Sequence, residues 1–284
     1  MLSSIAGLNE GVITTNEKIK DAVTFKKITP SPSCHNKSGH GSVNVETAIR
    51  DSCNYYFYEV GWRLGGGNFG NFNEKLALSK LENYANMFGL NRTTGIELPE
   101  REPQFSYDDA VRSAIGQGKT RYTPVQLARY VSTIANGGTV YDLTLISKIE
   151  DKDGKTIFKK EPKKSGEVKD ISNVYWNAVH EGMYRVVNDT SLKDMFQALN
   201  VKVAGKTGTA QINEYHPNTA LFVSYAPYEK PEIAVTVVIP NGYTSANSAD
   251  VASKVYDYYF GSTNLDEIVE SGANQEENHT NFTD

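Results

Sequence analysis

The chain has 284 residues, 39% of them hydrophobic, with 29 Lys and Arg against 34 Asp and Glu. That length can bury a sizeable core, and the net charge of −5 leaves no basic stripe to hold a nucleic acid by its phosphates. No apolar run approaches the roughly 18 residues of a membrane span, the opening MLSSIAGLNEGV lacks a signal peptide's basic flank and cleavage site, and two cysteines are too few for a disulfide scaffold.

Residues 1 to 11 read as the rear of a helix, with Leu2, Ile5, Ala6 and Leu8 on one side and Gly7 and Gly11 closing it. From 43 to 64 an apolar stripe through Val45, Ala48, Ile49, Cys53, Tyr56, Phe57, Val60 and Leu64 keeps helical spacing. The polar run Asp51-Ser52-Cys53-Asn54 breaks it, which predicts two helices joined by a turn. A further helix is predicted over 73–88, with Leu76, Leu81, Tyr84, Ala85 and Phe88 inward and Gly89 as a left-handed stop. The best-punctuated helix has Thr123 as N-cap, Pro124 at its first position, Gln126 completing a capping box and Gly137-Gly138 as its end.

The polar strip 151–167 reads as a surface connection with a hairpin-like Asp153-Gly154. A helix follows from Ser172 to Val187, with Trp176, Val179, Met183 and Val186 inward. Then the period changes. Residues 200–212, 219–226 and 232–239 are rich in Val, Thr, Ile and Phe and read as consecutive antiparallel strands, before a last helix over 245–260 and an acidic tail too polar to order itself. Helices in the middle and a sheet at the end make this an α+β chain, with one helix packed beside the strands.

Three short motifs stand out. A G-x-G-x-x-G at Gly65, Gly67 and Gly70 follows a helix rather than a strand, so it reads as a connection, not a dinucleotide site. K-[ST]-G occurs at Lys164-Ser165-Gly166, in the charged connection, and at Lys206-Thr207-Gly208, inside a predicted strand. On such a strand a lysine, a hydroxyl and a backbone N–H converge on one anionic or carbonyl-bearing ligand, and Gly208 leaves room for its approach. S-x-N occurs three times, and only Ser52-Cys53-Asn54 sits between two helices, where Ser52 and Asn54 either cap the second helix or project into a cleft.

The segments VETAIRDSCNYYFYEVGWRLG, FGLNRTTGIELP, SAIGQGKTRYTPVQLARYVSTIANGGTVY and VAGKTGTAQIN resemble, in order and spacing, class B penicillin-binding proteins, the peptidoglycan D,D-transpeptidases, over about residues 1 to 260. The resemblance implies a serine β-lactamase/transpeptidase-like fold, an antiparallel sheet packed with helices plus a mostly helical subdomain. It implies a domain over 1–262 that lacks its N-terminal part, then a disordered tail over 263–284. In that family a serine of an S-x-x-K motif attacks a D-Ala-D-Ala stem peptide or a β-lactam.

Carried over by motif, Ser52 relays protons to the leaving group, Asn54 bonds the substrate amide and Lys206 holds positive charge beside Ser52. Thr207 meets the substrate carboxylate, the Thr209 N–H forms half of the oxyanion hole, and Gly116-Gln117-Gly118 lines the cleft. The first element is missing: no serine here has a lysine three places on, and the matching serine would fall about one turn ahead of Met1. The chain alone is therefore expected not to be acylated. A non-catalytic binding module, or a D,D-carboxypeptidase or β-lactamase, remain alternatives on the same fold. The family's partners would be stem peptides, β-lactams and cell-wall assembly proteins, at the outer face of the bacterial membrane, with membrane contact only through an N-terminal anchor not in this chain.

The family requires no cofactor. Cys34, His35, His40 and Cys53 cluster around HNKSGHGSV, near where some relatives hold structural zinc. Zinc at Cys34, His40 and Cys53, a disulfide and two unrelated thiols are the three readings.

Overall fold

The structure, a computed structural model, describes residues 1–67, 70–210 and 215–261. α1 (Leu2–Asn9) is followed by the antiparallel pair β1 (Ile19–Lys20) and β2 (Ser42–Val43), then by α2 (Val45–Arg50), α3 (Asn54–Leu64), α4 (Glu74–Met87) and α5 (Ala110–Ser113). α6 (Pro124–Ala135) leads into four short strands, β3 (Thr139–Asp142), β4 (Lys148–Glu150), β5 (Thr156–Lys159) and β6 (Lys163–Glu167). α7 (Asn173–Asn188) and α8 (Lys193–Phe196) precede the main sheet, β7 (Ala204–Ala210), β8 (Thr219–Ala226) and β9 (Ile233–Ile239), and α9 (Ser245–Tyr259) closes the described fold.

The capping signals act as read: the Thr123 side chain accepts from the Gln126 N–H, and the Thr123 N–H donates to the Gln126 side chain. Gly89, Gly137 and Gly138 all take positive φ behind their helices. Three readings are corrected. α1 has no solvent face, because Ser3 through Leu8 are all buried between α3, α4 and α7, so it is a central helix rather than an amphipathic one. Leu76 is 43% exposed, and Ala77 and Leu78 carry the inward face of α4 in its place. Lys164-Ser165-Gly166 is not a loop: it lies in β6, paired antiparallel with β3, an arrangement only tertiary pairing dictates. The acidic tail and residues 211–214 lie outside the described residues.

The sheet runs in the order β7-β8-β9, antiparallel throughout. Its two faces divide by residue parity. Ser224 faces α9, where the Tyr256 hydroxyl donates to Ser224 Oγ at 2.8 Å, and Phe222 packs on Phe196 of α8 with ring centroids 5.9 Å apart. Tyr225, on the opposite face, meets His180 of α7 at 5.9 Å. Lys206 is the cross-strand partner of Val223, so it shares the face that Tyr225 presents to α7.

α7 also anchors α2. A Cβ at Gly182 would lie 2.9 Å from Ile49, so glycine is what lets the two helices close and fixes the turn that follows α2. Ile49→Ala, at a fully buried position, is expected to lower stability by about 2–5 kcal/mol. Urea denaturation measures it, and a loss within error of zero would show that this contact does not hold α2.

Candidate active site

The Asn44 side chain accepts from the Thr47 N–H at 3.1 Å, and the Thr47 hydroxyl accepts from the Asn44 N–H at 3.0 Å, which fixes the start of α2. Its end is a Schellman turn: Ser52 N–H donates to Ile49 O at 3.3 Å and Cys53 N–H to Ala48 O at 3.0 Å. Glycine is the usual left-handed residue there. Ser52 occupies it with φ +51, a strained choice of about 1 kcal/mol that swings its side chain off the helix axis. Neither Ser52 nor Asn54 caps α3: the N-cap is Cys53, with no side-chain cap bond, and Asn54 is the first helical residue. The capping alternative is thereby set aside.

The Lys206 ammonium donates to Ser52 Oγ, joining positions 154 residues apart, and to the Thr207 carbonyl at 3.1 Å. Burial pushes it down to about 8, and no carboxylate faces it among the described residues. The Met1 amino group lies close by, held down to about 5 by burial first and the Lys206 charge second. Among the described residues the site thus presents a partly buried positive charge without a counter-ion. Thr207 is half-buried and Thr209 exposed along β7, which is an edge strand, so alternate N–H groups point away from β8. A Cβ at Gly208 would meet only Leu221, at an ordinary 3.4 Å, whereas one at Gly205 would strike the Phe222 ring at 2.5 Å. Gly205 is therefore required by the core. Gly208 has beside it the room that Gly205 lacks.

Gly116, with φ +86, and Gln117 follow Ala114, whose carbonyl accepts from Ser3 Oγ at 2.6 Å. That bond ties the loop to the end of α1 that Lys206 faces.

Beside the turn, Cys34, His40 and Cys53 come together with Asp21, a residue the sequence reading missed, all four donor atoms lying within 4.8 Å of one another. Asp21 Oδ2 takes the His40 Nδ1–H at 2.8 Å, the His40 N–H at 3.1 Å and the Cys53 thiol at 3.4 Å. Cys34 Sγ lies 3.4 Å from His40 Nδ1, and both cysteines are free, so the disulfide reading fails. The two sulfurs also act on each other, which holds the Cys34 thiol low and pushes the Cys53 thiol up. His35 stacks on His40 at 5.1 Å and is not among the four. The β1–β2 pairing that brings Asp21 close to residues 40–43 has no strong sequence signal, with strands of two residues each.

The family model for the penicillin-binding protein transpeptidase domain matches residues 1–258. The chain belongs to that family. It is 32% identical over 293 residues to the peptidoglycan D,D-transpeptidase MrdA of Haemophilus influenzae, covering 90% of this chain and 42% of that protein. It is 30% identical to penicillin-binding protein 2A of Bacillus subtilis, over 90% of this chain and 39% of the relative. The transpeptidase domain thus spans about two-fifths of the curated relatives' length. Among solved structures, Pseudomonas aeruginosa PBP2 in complex with WCK 5153 superposes with a TM-score of 0.76 at 26% identity, over 91% of this chain and 59% of that one. The fold is that of the serine β-lactamases and transpeptidases.

The buried ammonium of this transpeptidase domain has a pH signature. A lysine depressed from 10.5 to about 8 makes the folded chain bind fewer protons than the unfolded one between those values, so stability rises with pH across that window. Relative to Lys206→Met, the native chain is expected to gain up to about 3 kcal/mol between pH 7 and 10.5, read from urea melts. A difference that does not vary with pH would place the ammonium in solvent.

Proposed function

We propose that this chain supplies the substrate-gripping part of a peptidoglycan D,D-transpeptidase, and that the single observation carrying the reading is the half-buried Lys206 ammonium beside Ser52, which has no carboxylate partner among the described residues. A D-Ala-D-Ala stem peptide ends in a carboxylate. Lying antiparallel along β7, it would place that carboxylate by Lys206 and the Thr207 hydroxyl, with its backbone over Gly208 and its amide toward Asn54. Ser52 would pass a proton between Lys206 and the leaving nitrogen, and the Thr209 N–H would face the carbonyl oxygen as charge develops there. Gly116 and Gln117 would line the cleft on the α1 side. A β-lactam, with a carboxylate at similar distance from its reactive carbonyl, fits the same grip. The same site would serve a D,D-carboxypeptidase or a β-lactamase, since water or an amine as acceptor is selected by cleft shape.

The nucleophile is the part not found in these residues, where no serine has a lysine three places on. The chain as it stands is expected to hold no fluorescent penicillin through denaturation. An extension ending in Ser-x-x-Lys directly ahead of Met1 is expected to become labelled, and Ser52→Ala in that extended chain to slow labelling by about a hundredfold or more. A modified serine in the unextended chain would refute this assignment of the nucleophile. An extended chain that folds and stays unlabelled would refute the transpeptidase reading.

Asp21, Cys34, His40 and Cys53 fit a structural zinc: two thiols, an imidazole and a carboxylate, three of the four residues buried, already drawn onto one another. A zinc held there would pin Cys53, and with it the turn that aims Ser52 at Lys206. Protein prepared without chelator is expected to contain about one zinc per chain, and Asp21→Asn together with Cys53→Ser to contain none. Metal analysis that finds no zinc in the native chain would remove the metal from this account. No helix of the described residues is long and apolar enough to cross a membrane, and family membership supports location of the full-length protein at the extracytoplasmic face of the cell membrane.

A further inference from the structure

A second recess lies at the foot of β7, on the side of α7's C-terminus. It is a cavity of about 210 Å³ bordered by α8 and by the segment that leads into β7. Its apolar wall is Phe196 with Val201 and Val203, and Phe196 is backed by Phe222 and Tyr256, at 5.9 and 6.4 Å, so that wall is part of the core and cannot fold away. Its polar lining comes from Lys193, Lys202 and Gln197, all three exposed to solvent. Neither lysine forms an ion pair with any described residue. Asp194 and Asp189 are near in sequence, and neither lines the cavity.

Two lysines at the end of a helix would ordinarily be explained as partners for its last carbonyls. Here Arg185 O accepts from the Asp189 N–H at 3.0 Å and Val186 O from the Thr190 hydroxyl at 2.6 Å, and neither lysine ammonium bonds a carbonyl of the helix end. Neither ammonium is committed to the helix end. The backbone that carries them is fixed, because Tyr228 N–H donates to Lys202 O at 2.8 Å and Asn188 Nδ2 to Val203 O at 3.0 Å. At this volume the recess is smaller than the roughly 300–1,000 Å³ of pockets for drug-sized ligands, which restricts it to a small molecule.

We propose that this cavity binds a small organic carboxylate with a compact apolar body, its charge between Lys193 and Lys202 and its body against Phe196 and Val203. The site is separate from the Ser52–Lys206 centre and does not depend on the transpeptidase reading. It does touch the same strand: Val203 directly precedes β7, and Lys206 lies three residues beyond it. An occupant would therefore press on the lead-in of the strand whose register places Lys206, which makes the cavity a place from which the active site can be modulated.

The test is a titration of the full chain, isotopically labelled with nitrogen-15, with sodium benzoate at constant ionic strength. Saturable amide shifts are expected over residues 188–203, with smaller ones carried into Ala204–Thr209. Benzamide, the neutral isostere, and inorganic phosphate, a charge without an apolar body, are each expected to bind at least about tenfold more weakly. The double variant Lys193→Gln and Lys202→Gln is expected to keep the native spectrum and lose benzoate affinity by a similar factor. Absence of saturable shifts, shifts centred elsewhere, equal binding of benzamide or phosphate, or unchanged affinity in the double variant would each overturn the proposal. Should the double variant fail to fold, Lys202→Arg, which keeps the charge, is expected to retain benzoate binding, and its loss would count against the site.

Discussion

A half-buried ammonium with no carboxylate to balance it among the described residues is the constraint on which the rest of this structure turns. Partly withdrawing the Lys206 ammonium from water costs free energy that its bonds to Ser52 Oγ and the Thr207 carbonyl only partly offset. A fold that served stability alone would have an acid there or a methionine. The arrangement makes physical sense when the missing counter-charge belongs to a molecule that visits the site, since an anion entering it meets positive charge in a low-dielectric setting where attraction is strong.

Everything around Lys206 limits how far it can relax. The register of β7 on β8 sets which face it occupies, and on the opposite face Gly205, with no room for a side chain under the Phe222 ring, holds the strand against the core. On the other side, Ser52 is held left-handed by a Schellman turn whose helix is pressed onto α7 through Ile49 and Gly182. The next residue, Cys53, belongs to the buried cluster with Asp21, Cys34 and His40. Two independent supports, one of packing and one of polar side chains, thus converge on a single strained residue, as is common where a backbone conformation is kept for chemistry rather than for stability.

The sequence was informative where a signal is local. The Thr123 capping box, the helix-closing glycines and the alternation in 219–226 each follow from interactions within a few residues, and each appears in the structure. The break at Asp51–Asn54 was legible for the same reason. What stayed hidden depends on distant partners. Burial of α1 on all sides is set by α3, α4 and α7, and the pairing of Lys164-Ser165-Gly166 with β3 is set by a strand more than twenty residues away. Asp21 is one acid among 34 acidic side chains and gains its meaning only when two-residue strands bring it to His40. The contact between Lys206 and Ser52 was expected through resemblance to a family, since no spacing rule links residues so far apart.

The central claim is that the unpaired charge of Lys206 is meant for a peptide's terminal carboxylate. The most direct measurement is an amide-shift titration of the chain with N-acetyl-D-Ala-D-Ala and with the same dipeptide carrying a C-terminal amide. The account predicts saturable shifts at Ser52–Asn54 and Lys206–Thr209 for the carboxylate and none there for the amide. Equal responses to the two peptides, or shifts confined to other parts of the chain, would contradict it.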